Sequence, residues 1–204
     1  MVYPKPRKKL PEAALRFVLA LLVLLALNHA YAKSLTEALL PLIRWEIAQL
    51  DDDYRVLVLA LSRQGADTVI RLDVGLAHDI VVGARVLPTD PRARANVSTL
   101  AGHITQAALL CLAVILSLPA RGAMEYPLRA PVACAGLALL LLVDVPFVLW
   151  AELWDIHSSA LDPGRVSLLL WRDFLQGGGR FVLGLGLGVL AVAVAAGQVL
   201  ATRR

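Results

Sequence analysis

The sequence predicts an α-helical integral membrane protein: four transmembrane helices, with a small α+β periplasmic domain (a helix plus a three-stranded antiparallel meander) between the first and the second. Three observations carry that expectation. Of 204 residues, 58% are hydrophobic and only 18% charged, with a mean hydropathy of +0.69, whereas about a quarter of a water-soluble domain is charged. Four apolar runs approach the roughly 20 residues that a helix needs to cross about 30 Å of hydrocarbon. The short segments that fall on one side of those spans are basic, which orients the chain. The net charge of +4 and the pI near 9.4 do not indicate nucleic acid, because the basic residues sit beside apolar runs instead of forming one phosphate-binding surface.

The first segment, 1–13, is a basic tail with Lys5, Arg7, Lys8 and Lys9, and 14–32 is the first span. Ala30-Tyr31-Ala32 before Lys33 also matches a signal-peptide cleavage site. The run is read as an uncleaved anchor; cleavage would leave the same topology downstream. Residues 103–119, 131–151 and 181–201 are the other spans, with 120–130 and 202–204 as short basic segments carrying Arg121, Arg129, Arg203 and Arg204. The positive-inside rule makes that side cytoplasmic. Both termini are then cytoplasmic, and the expected location is a bacterial inner membrane. Cys111 and Cys134 lie in apolar runs at different depths, so no disulfide is expected.

Residues 33–102 read as the periplasmic α+β domain. Ser34 with Glu37 forms a capping-box pattern, predicting a helix start, and Pro41 either kinks that helix or opens a second one. "YRVLVLALSR", "DTVIRLDVG" and "HDIVVGARVL" predict the three strands, with turns at Gln64 to Ala66 and Gly75 to Ala77. In the second strand Ile70, Leu72 and Val74 alternate with Val69, Arg71 and Asp73, one face buried and one wet. "PTDPRARANV" has no periodicity and reads as a loop. So small a sheet needs burial against its preceding helix or the membrane helices, and its free edge offers a partner strand a place to pair.

Residues 152–180 read as a second periplasmic segment. Within it "RVSLLLWRDFLQ" suits an amphipathic surface helix with Val166, Leu169, Leu170 and Phe174 near one face. Gly177-Gly178-Gly179 lacks the strand before it and the Lys-Ser/Thr after it that a phosphate loop requires, and reads as a hinge. In the fourth span Gly184, Gly188, Ala191 and Ala195 form a small-residue face for close helix packing.

The candidate chemistry gathers on the outer side. Asp144 lies in the outer third of the third span, with Glu152, Asp155 and His157 beyond it, His103 opening the second span and Arg180 opening the fourth. At 1.5 Å per residue Asp144 is roughly 10 Å into the apolar layer. It must face other helices, be protonated, or pair with a cation. Pro146 predicts a local break, because its ring frees the carbonyl of Leu142. At 100° per residue Asp155 falls within about 20° of Asp144, giving an acidic face, while Glu152 lies about 80° away. Trp150 and Trp154 read as interfacial anchors. The spacing of Glu152, Asp155 and His157 matches no zinc motif. No metal or cofactor is predicted.

The leading functional expectation is a non-catalytic membrane subunit or assembly and scaffold factor of a cell-envelope complex. Its partners are the lipid bilayer and other membrane or periplasmic subunits, docked through the periplasmic domain and the small-residue helix faces. The alternatives are a membrane-embedded enzyme using Asp144, Glu152, Asp155, His157 and His103, or a proton-coupled transport component using Asp144. If Asp144 merely packs, an asparagine should replace it without loss.

Overall fold

A computed structural model describes residues 9–82, 85–90, 92–120, 122, 124–158 and 166–202. Most of the 1–13 tail, Arg121, residues 159–165 of the 152–180 segment, and Arg203 and Arg204 lie outside the described residues. The elements are α1 (Lys9–Leu50), β1 (Tyr54–Gln64), β2 (Asp67–Leu76), β3 (Ile80–Val82), β4 (Arg85–Leu87), β5 (Ala95–Leu100), α2 (His103–Ser117), α3 (Glu125–Val143), α4 (Val145–Ser158), α5 (Val166–Phe174), a π-helical segment (Leu175–Gly179) and α6 (Arg180–Thr202). The protein is mostly helical with a small three-stranded antiparallel sheet.

Three helical stretches are long and apolar enough to cross a membrane: Pro11–Leu50, Glu125–Ile156 and Ser167–Ala201. The expected second span, 103–119, is the shorter apolar helix α2 of 15 residues. At 1.5 Å per residue that is about 22 Å, short of the hydrocarbon thickness. The first stretch is a single helix of 42 residues, so no new helix starts at Ser34. Nothing in "HAYAKSLTE" breaks a helix, and continuing one adds a hydrogen bond per residue whereas a second nucleus is costly. Pro41 is carried inside α1.

The chain forms two compact units. One comprises Tyr31–Thr105 and Leu139–Arg180. Its sheet has the order β1-β2-β5, all antiparallel. Gly65, at φ 65°, is the first of two residues joining β1 to β2, the conformation that primed hairpin turns require. Ile70, Leu72 and Val74 are fully buried, and with Tyr54 and Val97 they pack on Ile43 and Ile47 of α1 and on Val145, Leu149 and Leu153 of α4. The opposite face carries the polar set Arg71, Asp73 and Asn96, in which Asp73 receives hydrogen bonds from the other two.

The third strand differs from the one the sequence suggests. "HDIVVGARVL" folds back on itself as the β3-β4 hairpin, and the place beside β2 is taken by β5, drawn partly from the stretch read as a loop. The reason is alternation: Val97 and Thr99 of β5 are buried while Asn96 points to the polar side, a period-2 pattern set too close to "PTDPRA" to stand out. Gly75 lies within β2, paired with Arg55, instead of in a turn.

The other unit comprises Met1–Ala30, Gln106–Ala138 and Phe181–Arg204. Its helices meet through small residues. Gly184 sits so close to Ala107 that a Cβ would lie 2.5 Å from the Ala107 carbonyl oxygen, and a Cβ on Gly188 would lie 2.7 Å from Val114 Cβ. Ala191 and Ala195 are fully buried, Ala191 in one core with Cys111, Ile115 and Ala133. Cys111 and Cys134 are free thiols. Phe181, Val182, Val189 and Leu190 point away from this core, as do Leu15, Leu19 and Leu22 of α1. Arg129 is fully buried and donates to Glu125 (2.7 Å) and to the carbonyls of Ile115 and Leu118 (both 2.7 Å). It thereby satisfies open carbonyls at the end of α2, where a positive charge also complements the helix dipole.

The segment 166–174 is not a separate surface helix. It continues through the π-helical residues into α6, with a kink at Gly178, whose φ of 108° is closed to ordinary side chains. Leu168 and Leu175 turn inward, while Leu170 and Phe174 of the predicted apolar face are exposed. The three glycines are therefore unequal: Gly178 needs its φ, a Cβ on Gly179 would strike Phe174, and Gly177 has open space. Gly178→Ala should cost about 1–3 kcal/mol and lower the apparent melting temperature of the detergent-solubilised protein, while Gly177→Ala should leave it unchanged or slightly raised. Along α6, Gly184→Leu and Gly188→Leu should destabilise, whereas Gly186→Leu, where a side chain meets nothing, should not.

Candidate functional site

Asp144 stands at an interruption. Helix α3 ends at Val143 and α4 begins at Val145, with Pro146 in the first turn, where its missing N–H costs no hydrogen bond. The Asp144 carbonyl accepts from Val148 N at 2.9 Å, the first bond of α4. Above the break, the carbonyl of Val143 accepts the Trp171 indole N–H at 2.7 Å. A side chain thus satisfies a carbonyl left open at the end of α3.

The carboxylate of Asp144 is held by Arg180. Arg180 Nε donates to both oxygens at 2.9 Å and Nη2 donates to Oδ1 at 2.6 Å, a forked geometry that only arginine offers a carboxylate. Both residues are buried, Arg180 at 2% and Asp144 at 7% exposure. Of the routes open to a carboxylate at this depth, the chain uses pairing with a cation.

The pair is one rung of a seam. Glu152 accepts from Gln176 Nε2 at 3.1 Å, and Asp155 accepts from Arg172 Nη1 at 2.8 Å, with Arg172 also 3.8 Å from Glu152. From Asp144 at the break, Glu152 and Asp155 follow along α4 while their partners run Arg180, Gln176, Arg172 in reverse order, so two antiparallel helical segments are fastened together. The donors are four residues apart; Arg172 and Gln176 share one helix face, and the kink at Gly178 lies between them and Arg180. That spacing was legible in "RDFLQGGGR". It was obscured because the glycines read as a hinge separating Arg180 from Arg172.

The other expected site residues are scattered. His103 Nδ1 lies 2.9 Å from Thr99 Oγ1, at the junction of β5 and α2. The side chain of His157 lies outside the described residues. Gly184, Gly188, Ala191 and Ala195 are packed within their own unit, the glycines against α2, and do not offer an open face. Among the described residues, no three His, Cys, Asp or Glu side chains group as metal ligands.

A second centre was missed by sequence reading. Asp51 Oδ2 accepts the indole N–H groups of both Trp150 (2.9 Å) and Trp154 (2.8 Å), and Asp51 Oδ1 accepts from Asp53 N at 3.0 Å. The two tryptophans read as lipid anchors therefore also clamp the end of α1 to α4. Their spacing of four residues was visible; the distant carboxylate was not. Comparison of the chain with protein-family models, curated proteins and solved structures returned no match.

The forked pair changes the expectation for asparagine. Asp144→Asn keeps the shape but leaves the buried Arg180 charge uncompensated, and breaking a buried pair from one side costs about 3–5 kcal/mol. The variant should insert yet show a lower apparent melting temperature and faster proteolysis. An unchanged melting temperature would show that Arg180 does not depend on that charge.

Proposed function

We propose that this protein is a non-catalytic membrane scaffold or assembly subunit of a bacterial cell-envelope complex, with the N-terminus in the cytoplasm and 33–102 on the periplasmic side. The observation that carries this reading is the saturation of the acidic face. Asp144, Glu152 and Asp155 are consumed by Arg180, Gln176 and Arg172, so the groups suited to acid–base work are serving as fasteners. Both oxygens of Asp144 are engaged by one guanidinium, the arrangement of a packing tie. None of these three residues lines the 710 Å³ cleft in the same unit.

The glycine face of α6 is occupied by α2, which moves the docking role to the sheet. Strand β1, 11 residues long, lies at one edge of the order β1-β2-β5, with Val58 exposed beside a bulge in the β1-β2 pairing. An edge of this kind accepts an added strand from a partner. The charge argument for orientation is thinner than the sequence suggested, because Arg129 is neutralised by Glu125; the N-terminal tail carries most of it.

The test is purification of the full chain in mild detergent with a photo-crosslinking residue at Val58 or, as a control, at Arg71 on the polar face of β2. A stoichiometric partner joined through Val58 and not through Arg71 is expected. A monodisperse, partner-free monomer that turns over a lipid or glycan would favour the enzyme reading.

A further inference from the structure

The cleft of about 710 Å³ is walled by Phe147, Trp150 and Trp171, with Asp51 and Asp52 at the end of α1. Both indole N–H groups are turned to protein acceptors, Trp150 to Asp51 and Trp171 to the Val143 carbonyl. What these rings have left to offer a ligand is their apolar π-faces. Aromatic faces attract cations, most strongly those of tryptophan, and ammonium groups are the usual guests of such cages. The two carboxylates add attraction of the same sign, and among the described lining residues there is no lysine, arginine or histidine.

The rest of the wall is apolar: Leu50, Val143 and Leu168. A small soluble cation would leave that surface and most of the volume unused, whereas a lipid presents a charged head and a hydrocarbon chain together. We propose that this cleft binds an ammonium-headed phospholipid, with the ammonium between Asp51, Asp52 and the tryptophan faces, and acyl chain along Leu50, Val143 and Leu168. The site is separate from the polar seam, and its failure would leave the scaffold reading standing.

The bulk charge of the chain works against this preference, which makes the test sharp. A chain of net charge +4 non-specifically attracts anionic lipid, so an ethanolamine head should lose to a glycerol head unless a specific site reverses the order. Native mass spectrometry of the full chain in detergent, titrated with dioleoyl phosphatidylethanolamine or dioleoyl phosphatidylglycerol, measures both affinities. The ethanolamine lipid should bind about fivefold more tightly. Asp52→Asn, at an exposed position, should bring the ratio down towards unity, while Asp67→Asn at the start of β2 should leave it unchanged. A glycerol lipid that binds equally or better, or a ratio indifferent to Asp52→Asn, would overturn the assignment. So would displacement of the lipid by a soluble oligolysine peptide at equimolar concentration, which would point to a basic segment of a protein partner.

Discussion

The buried ion pair between Asp144 and Arg180 constrains everything around it. Two unpaired charges at this depth would each cost several kcal/mol, so the helices that carry them are obliged to meet there and in that rotation. Each partner stands at a backbone irregularity: Asp144 at the break before Pro146, and Arg180 directly after the π-helical turn and its left-handed glycine. The irregularities and the pair are one solution. The kink at Gly178 falls between Gln176 and Arg180, and the break at Asp144 falls before Glu152 and Asp155, so each helix changes course next to the pair.

From this seam the rest of the α+β unit follows. Helix α4 turns its other side, Val145, Leu149 and Leu153, to the buried face of the sheet, and α1 closes the same core through Ile43 and Ile47. Asp51 adds a second tie by holding Trp150 and Trp154. The clamp therefore joins membrane-length helices to a sheet that is too small to be stable alone. In the other unit Arg129 plays a similar part at the end of α2, paired with Glu125.

Much of this was legible in the chain. Hydropathy gave three of the four expected spans at membrane length, Val, Ile and Leu richness gave β1 and β2, alternation gave the buried Ile70, Leu72 and Val74 although Val69 on the face read as wet is buried too, and Pro146 gave the break. What stayed hidden was long-range. No local pattern reports that Asp51 and Trp150, 99 positions apart, share a hydrogen bond, or that β5 and not the nearer hairpin completes the sheet. The depth ordering that put Asp144 and Arg180 on the same side contained the pairing in outline. Reading the glycines as a boundary, where the helix in fact continues through a kink, hid the four-residue spacing of its partners. For the glycines of α6, spacing revealed the close approach but not the partner, which is the chain's own α2.

The central claim is that Asp144 and Arg180 stabilise the fold only as a pair. It is tested most directly by a double-mutant cycle on the melting temperature of the purified protein, using Asp144→Leu, Arg180→Leu and both together. Either single change leaves a buried charge alone, while the double change leaves none and replaces the pair with apolar volume, so the double variant should be more stable than either single one. If instead the two losses simply add, the residues act independently and the pair is not what organises this structure.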